Sequence, residues 1–272
     1  MSVPPGLPRP PGAPRRRALL PAAALALLAA GPAPAADPPA PAAPAPLPSL
    51  RAGEALDPGW RLVALPGDPP KAPATAFEPG AADGVAGVRV RVAGSYGNLV
   101  HAVDATAAQR LQWRWRLDEP LAGGQTPADI LERRGDDAAL KVCVLFDHAL
   151  DRVPFVERQV LRVARRVSGE PLPAATVCYL WDSTYPAELS AANPYTRRVR
   201  FISLRGREAP LARWVDESRD VAQDLRRLFA DELPADAPLP RITQVLVGGD
   251  GDNTGARASG WIAQIRWAPT AP

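Results

Sequence analysis

The stretch Arg110-Leu-Gln-Trp-Arg-Trp-Arg-Leu117 decides the fold class. Large apolar residues stand at every second position, and polar residues fill the positions between them. Because successive side chains of a β-strand point to opposite faces, this alternation predicts a strand with one buried and one solvated face. Strands of that kind are typical of antiparallel sheets that pack on one side.

Other segments show the same alternation or a short apolar run with β-branched residues. They are residues 85–92, 98–103, 140–146, 175–181, 197–204, 242–247 and 259–267. About eight to ten strands is a number typical of a sandwich. We therefore predict an all-β fold, an antiparallel two-sheet β-sandwich. Helical spacing in residues 154–167 and 220–229 predicts one or two short helices in the connections.

The N-terminal segment has the pattern of a secretory signal. Three arginines at 15–17 precede an apolar run of 13 residues, 18–30, and small residues follow. An apolar core of this length is too short to span a bilayer stably. We predict a signal peptide in residues 1–36, cleaved near Ala35 or Ala36. The mature protein is then periplasmic or secreted, without a membrane span; an uncleaved N-terminal tether is the alternative.

The rest of the chain divides by composition. Residues 37–48 are almost wholly alanine and proline, which favours extended polyproline-like conformations, and they predict a stiff linker. Residues 49–268 contain no further linker and no visible internal repeat. Their length suits a single β-sandwich domain. The oligomeric state stays open.

The distribution of charge argues against two classes of partner. The chain carries 32 Lys and Arg against 29 Asp and Glu, and residues 1–48 hold four of the arginines and one aspartate. Removing these from the totals leaves 28 residues of each sign, so residues 49–272 are neutral as a whole. A neutral domain with interspersed signs gives no electrostatic footprint for nucleic acid or for an acidic membrane surface.

Cys143 and Cys178 are the two cysteines, and each lies in a segment predicted to be a strand. In an exported protein such a pair can form a cross-strand disulfide. Two separately buried thiols are the alternative. The two histidines share no ligand spacing with the cysteines, so we do not expect a metal site that uses both cysteines.

The leading candidate site is the loop Gly248-Gly-Asp-Gly-Asp-Asn-Thr-Gly255, between two predicted strands. Asp250, Asp252 and Thr254 match alternate oxygen positions of an EF-hand. Trp261, however, stands where the twelfth-position Glu is required, and the flanks are strands rather than helices. Three interpretations remain: a glycine-rich turn held by its own side chains, a Ca²⁺ site with Asp250 and Asp252 as ligands, and a polar contact with a ligand. No other cofactor is expected.

Carboxylates and aromatic residues elsewhere extend this candidate site. Asp136 and Asp137 precede a predicted strand, where one of them can face Arg219 or the loop, although structural ion pairing is the favoured interpretation. Tryptophans on alternating strands suit a sugar-stacking face or the core. The core is favoured for most of the seven, with Trp181 or Trp214 exposed.

An ordered series of short motifs resembles one bacterial family. The series comprises Ser95-Tyr-Gly97, Trp113-Arg-Trp115, Gly135-Asp-Asp137, Cys178-Tyr-Leu-Trp181, residues 197–200, Arg219-Asp-Val221 with Asp224, and Asp250-Gly-Asp-Asn-Thr-Gly255. It is similar, over most of residues 49–267, to the domain of unknown function 3047 family, which is typical of exported proteins. The resemblance implies a shared fold and carries no established activity. The end of the chain is also similar, at the level of fold class, to jelly-roll sandwiches of the galactose-binding type.

Together these features predict an exported, non-catalytic binding protein whose ligand is a saccharide. The predicted ligand-binding residues are Asp136, Asp137, Trp181, Arg219, Asp250, Asp252, Asn253 and Thr254. A glycan hydrolase is one alternative, with two carboxyl groups about 5 to 10 Å apart across a cleft. Its candidates are Asp129, Asp136, Asp137, Asp220, Asp224 and Asp250. An envelope scaffold protein is the other alternative, and it would expose a flat apolar patch.

Overall fold

The computed structural model describes residues 47–65, 67, 69–107, 109–168 and 172–269. The predicted signal peptide and residues 37–46 of the predicted linker lie outside the described residues. The strands are β1 Arg51–Ala52, β2 Ala55–Leu56, β3 Arg61–Val63, β4 Ala76–Ala82, β5 Val85–Ala93, β6 Tyr96–Ala105, β7 Gln109–Ala122, β8 Leu140–Phe146, β9 Ala175–Trp181, β10 Ser190–Ala192, β11 Val199–Arg205, β12 Val215–Asp220, β13 Ile242–Asp250 and β14 Arg257–Pro269. The helices are α1 Phe155–Ser168 and α2 Val221–Leu228.

The strands form two large sheets. The seven-stranded sheet has the order β10-β11-β9-β8-β13-β6-β3, the five-stranded sheet has the order β12-β7-β14-β5-β4, and β1 pairs with β2. This architecture confirms the predicted all-β two-sheet sandwich, with two short helices in its connections. None of the helices in the described residues is long and apolar enough to cross a bilayer.

One strand pair departs from the predicted antiparallel arrangement. β9 and β11 run parallel, whereas the other paired strands of the described residues run antiparallel. The reason lies in residues 182–198, which return the chain to the end of the sheet where β9 begins. There the Thr176 N–H donates to the carbonyl of Arg198 at 2.8 Å.

The core between the sheets is built on the alternating strand β7. Trp113 and Trp115 are buried and face the other sheet. The ring of Trp113 lies 5.2 Å from that of Tyr179, and the ring of Trp115 lies 5.5 Å from that of Trp181. Such aromatic pairs contribute roughly 0.5 to 1.5 kcal/mol beyond the area that they bury. The apolar face of β7 is therefore the contact surface between the sheets.

The last two strands occupy the centres of both sheets. β13 lies between β8 and β6, and β14 lies between β7 and β5. Residues 251–256 join them and cross from one sheet to the other beside the β5–β6 connection. The Gly251 N–H donates to the Ser95 carbonyl at 2.9 Å, and the Gly94 N–H donates to the Ala256 carbonyl at 2.8 Å. Residues 251–255 of the predicted loop thus belong to the crossing between these strands, whereas Gly248, Gly249 and Asp250 form the end of β13 and are not loop residues as predicted.

A disulfide joins two neighbouring strands on the outer face of the seven-stranded sheet. Cys143 of β8 stands directly opposite Cys178 of β9, and their sulfurs are bonded. The pair lies in a small apolar cluster, separate from the main core, with Leu145, Leu180 and Phe201. The bond closes a loop with a sequence separation of 35 residues.

We expect a Cys143→Ala, Cys178→Ala double variant to lose about 3 to 4 kcal/mol of unfolding free energy, because the bond restricts the unfolded chain. Urea unfolding followed by far-UV circular dichroism measures the loss. Reductant should destabilise the wild type by a similar amount and leave the double variant unchanged. A variant as stable as the oxidised wild type would contradict this expectation.

Candidate functional site

The outer face of the seven-stranded sheet carries a groove of about 400 Å³, which we call the outer groove. Its floor consists of three rows of residues that run across the strands. The first row is Asn98, Gly248 and Lys141; the second is Val100, Leu246, Cys143 and Cys178; the third is Gln244, Leu145, Thr176 and Val199. The floor is therefore polar at one end, apolar in the middle, and mixed at the other end.

A glycine allows close packing in the polar row. A Cβ atom on Gly248 would lie 2.4 Å from Asn98 Oδ1 and 2.5 Å from the carbonyl oxygen of Gly97. No side chain fits there without displacing backbone, because the side chain of Asn98 already fills the space over Gly248. The predicted loop begins at this glycine, whose place in the sheet explains part of the glycine-rich pattern.

Lys141 and Asp250 form a largely buried ion pair at the polar end. Lys141 Nζ lies 2.7 Å from Asp250 Oδ2, and the two side chains are 12% and 11% exposed. The other carboxylate oxygen accepts a hydrogen bond from the Ala138 N–H at 3.0 Å, and Lys141 Nζ also lies 4.9 Å from the centre of the Tyr96 ring. Burial lowers the pKa of Lys141, but the attraction of the Asp250 carboxylate raises it by more, so the pKa of Lys141 lies above its ordinary value.

Two nearby carboxyl groups are held in a less favourable environment. Burial raises the pKa of Asp136 to about 6, against the opposing effect of a hydrogen bond from Asn193 Nδ2 at 2.6 Å. Burial, and then the charges of Asp250 and Asp137, raise the pKa of Asp252 to about 6. Asp252 Oδ1 is buried and finds no hydrogen-bond partner among the described residues. The polar end thus holds more negative charge than Lys141 neutralises.

Asp137 holds the crossing loop in place. Its side chain is buried, and its two oxygens accept four hydrogen bonds from two consecutive residues. Asn253 donates from its backbone N–H at 3.1 Å and from Nδ2 at 3.2 Å. Thr254 donates from its backbone N–H at 2.8 Å and from Oγ1 at 2.5 Å. Asp137, Asn253 and Thr254 therefore support the site through the loop conformation.

Two buried polar atoms in the groove have unused hydrogen-bonding capacity. Asn98 and Thr176 are each 4% exposed and line the outer groove. Asn98 Oδ1 and Thr176 Oγ1 have no hydrogen-bond partner among the described residues. An unsatisfied buried polar group costs roughly 1 to 3 kcal/mol, so a hydrogen-bond partner from solvent or from a ligand would stabilise these two atoms.

The structure brings six of the eight predicted ligand-binding residues to one end of the groove and its supporting loop. They are Asp136, Asp137, Asp250, Asp252, Asn253 and Thr254. We predicted that Trp181 would be exposed and bind ligand, but it is 1% exposed and faces the core. The reason is the alternation of side chains along β9, which points Trp181 inward and Cys178 outward.

Arg219 lies at the opposite end of the sandwich from the loop. It pairs with Leu111 near the start of β7, whereas the Gln125 N–H, beyond the end of β7, donates to the Thr254 carbonyl at 2.7 Å. Its guanidinium bonds the Asp224 carboxylate at 2.7 and 3.0 Å. Arg219 therefore stabilises the connection between β12 and α2.

The arrangement of charges disfavours a calcium site at Asp250 and Asp252. In the part of the chain that the structure describes, no three His, Cys, Asp or Glu side chains gather in a way that suits a metal ion. The ammonium group of Lys141 already occupies one oxygen of Asp250, and its charge would repel a divalent cation. Of the three interpretations of the loop, the geometry favours a structural turn next to the outer groove.

Sequence reasoning missed Lys141, Asn98 and Thr176 as groove residues. Lys141 did leave a signal, because it is one of two lysines in the chain and stands within the apolar segment 140–146. Asn98 and Thr176 left none, since isolated polar residues at the edges of apolar runs are common on strand surfaces.

A family model described as Protein of unknown function (DUF3047) matches residues 58–266. The match covers more than half of the chain and includes every strand of the outer groove floor, so the chain belongs to this family. No curated protein matches the chain.

We expect Asp137→Asn to lose about 3 kcal/mol of unfolding free energy, because an amide nitrogen would face donor groups of Asn253 or Thr254 and leave them unsatisfied. Asp136→Asn is the matched control, since that carboxyl accepts a single side-chain hydrogen bond. The Asp136→Asn variant should lose less than about 1 kcal/mol of unfolding free energy at pH 7. Urea unfolding measures both, and equal losses would refute the role assigned to Asp137.

The raised pKa values of Asp136 and Asp252 predict that the stability of the protein depends on pH. Between their ordinary pKa of 3.8 and the folded value of about 6, the folded state binds more protons than the unfolded state. Stability therefore falls as the pH rises through this window. The unfolding free energy of the wild type should fall between pH 4 and pH 7 by on the order of 2 kcal/mol more than that of an Asp136→Asn, Asp252→Asn double variant. This figure is smaller than the pKa shifts alone would give, because solvent screens the charges of partly exposed groups.

Urea unfolding at several pH values between 4 and 7 measures this difference. Asp151→Asn is the control, because the Asp151 side chain is exposed. A difference between wild type and double variant that stays constant over this range would contradict the predicted pH dependence.

Proposed function

We propose that this member of the DUF3047 family is a non-catalytic binding protein for an amphiphile that lies in the outer groove. Its apolar chain would lie on the middle of the floor, and its hydrogen-bond-donating head would lie at the polar end. The observation that carries the proposal is the buried acceptor Asn98 Oδ1 at the polar end, without a partner among the described residues, and Thr176 Oγ1 is a second such atom at the mixed end. They stand in a groove whose volume of about 400 Å³ suits a small molecule.

The floor supports the apolar part of the ligand. Val100, Leu246 and the disulfide form a continuous apolar row across four strands, from β6 to β9. At about 4.8 Å between neighbouring strands, this row is about 14 Å long. Burial of an alkyl chain there would contribute about 0.8 kcal/mol for each methylene group.

The polar end supports a head group that donates hydrogen bonds. Asn98 Oδ1 is an acceptor, and Asp136 and Asp250 add carboxylate oxygens to the same end of the groove. An ionised carboxylate head cannot donate hydrogen bonds to these acceptors. A saccharide head, the ligand class predicted from the sequence, supplies several hydroxyl donors. We therefore propose an alkyl glycoside-like ligand.

A free saccharide has weaker support. The wall of the outer groove contains Tyr96, and the ammonium of Lys141 lies over its ring at 4.9 Å. The three tryptophans that the sequence places on β7 and β9 are buried in the core. A sugar ring in this groove would therefore have little aromatic surface for stacking, so the alkyl chain has to supply most of the binding free energy.

A glycan hydrolase also has weaker support, because the candidate carboxylates already have partners. Asp129 accepts the Tyr185 hydroxyl at 2.8 Å, and Asp220 caps α2 by accepting the Gln223 N–H at 3.0 Å. Asp224 is paired with Arg219. With Asp137 holding the loop and Asp250 holding Lys141, these groups serve the fold.

Export remains part of the proposal. The N-terminal signal pattern supports it, and so does the disulfide between Cys143 and Cys178, since such bonds persist in oxidising compartments outside the cytosol. Periplasm and medium are both compatible with these two observations.

We expect n-octyl β-D-glucoside, below its micelle concentration, to bind at least about tenfold more tightly than glucose or octanoate, a difference of about 1.4 kcal/mol. Isothermal titration calorimetry measures the three affinities. Leu246→Glu should lower the affinity for the glucoside by about tenfold or more, because it places a charge on the apolar row. Leu62→Glu is the control, since Leu62 is exposed and lies outside the groove lining.

Binding of glucose as tight as that of the glucoside would refute the amphiphile and favour a saccharide ligand. Tightest binding of octanoate would refute the donating head group. Absence of binding by all three probes would overturn the proposed function.

The variant Asn98→Leu tests the head group separately. It should weaken binding of the glucoside about fivefold to tenfold, the effect of one lost hydrogen bond. It should leave the stability of the free protein unchanged or higher, because it removes a buried acceptor that has no partner among the described residues. A large loss of stability without loss of affinity would show that Asn98 serves the fold.

A further inference from the structure

Helix α1 presents a stripe of valines to solvent. Val156, Val160, Val163 and Val167 follow one another at spacings of four, three and four residues, so they lie on one face of the helix. They are 71%, 64%, 59% and 83% exposed. We call these four residues the valine stripe. β-Branched apolar side chains with this exposure, gathered on one face, indicate a contact surface.

The helix is attached to the protein through its opposite face. Leu161 is buried in a small cluster with Val153 and Ala174, separate from the main core. Arg165 Nε donates to the Leu172 carbonyl at 2.7 Å, and Glu157 Oε2 lies 2.6 Å from a guanidinium nitrogen of Arg198. These contacts fix the orientation of α1, so the valine stripe faces outward as a consequence of the fold.

The charge of α1 is strongly one-sided. The helix contains four arginines, Arg158, Arg162, Arg165 and Arg166, against the single acid Glu157, whose carboxylate is engaged by Arg198. Arg162 and Arg166 are exposed and flank the valine stripe on one side. The chain as a whole is balanced outside residues 1–48. The balance therefore hides a local basic surface, and α1 carries the excess positive charge that an acidic membrane surface attracts.

The other side of the valine stripe borders residues 193–199. Val156 and Val160 line a groove of about 520 Å³ together with Tyr195, which is 54% exposed. Arg133 lies next to the Tyr195 ring at 5.5 Å. An apolar strip flanked by arginines and a tyrosine is the composition of helices that lie in the headgroup region of a bilayer.

We propose that α1 docks this protein on the surface of a membrane that carries anionic lipids. The valine stripe would enter the boundary between headgroups and acyl chains, and the flanking arginines would contact lipid phosphates. The helix lies on the membrane and does not span it. This inference does not depend on the ligand of the outer groove.

A second copy of the chain is a less suitable occupant of the valine stripe. The spacing of the four valines also fits two heptads of a coiled coil, but two heptads give a short contact. A symmetric helix pair would place two α1 helices, each with an excess of three positive charges, side by side. The positive charges of the two helices would repel one another in such a pair, whereas an anionic surface attracts them.

Co-sedimentation of the full chain with vesicles tests the proposal. Vesicles of phosphatidylcholine and phosphatidylglycerol at 3:1 should bind at least about tenfold more protein than pure phosphatidylcholine at low salt, and the difference should shrink as salt is added. Two double variants should each reduce binding several-fold. One is Val160→Gln with Val163→Gln, and the other is Arg162→Glu with Arg166→Glu. Leu62→Gln, at an exposed apolar residue outside α1, is the matched control.

A fluorophore placed on the helix separates α1 from the N-terminal apolar run as the source of binding. A Val163→Cys variant labelled with an environment-sensitive dye should shift to the blue on addition of the anionic vesicles, and a labelled Leu62→Cys variant should not. Unchanged binding by both double variants, or equal spectra at the two labels, would overturn the proposal. The proposal would also be overturned, in favour of a second copy, if the protein forms dimers without lipid and the Val160→Gln, Val163→Gln double variant does not.

Discussion

The buried carboxylate of Asp137 fixes the crossing on which both sheets depend. It accepts hydrogen bonds from Asn253 and Thr254 and so sets the path of residues 251–256 between the central strands of the two sheets. Each of those strands pairs with two neighbours. Because charge-assisted hydrogen bonds are among the stronger ones in proteins, this one side chain contributes strongly to holding the segment that joins the two sheets.

The same constraint shapes the outer groove. With the crossing fixed, Asp250 lies beside Lys141 at the end of β13, and Gly248 lets the side chain of Asn98 pack against the neighbouring strand. The polar end thus holds Asp136 with a raised pKa and Asn98 with an acceptor atom that has no partner among the described residues. Binding sites commonly hold their polar groups in such unfavourable surroundings, and a complementary ligand relieves them.

The fold was predictable where side chains alternate, and the site was predictable only in part. β7, β8 and β9 follow directly from their sequences. The edge strand β4 was missed because Pro79 and Gly80 interrupt its pattern, as sheet edges allow, and β12 was missed because its sequence is largely charged. The acidic loop lies at the end of the sandwich where the outer groove has its polar row. Its partners could not be predicted, since the outer groove is made by registers between distant strands that no local pattern encodes.

The central position of β13 and β14 also has a consequence for biosynthesis. Until residues 242–269 have been made, the seven-stranded sheet lacks the strand between β8 and β6, and the five-stranded sheet lacks the strand between β7 and β5. A nascent chain of about 240 residues would therefore expose four strand edges, which are prone to pair with other chains. Completion of both sheets has to wait until residues 242–269 have been made, and it depends on contacts between residues far apart in the chain, which form slowly.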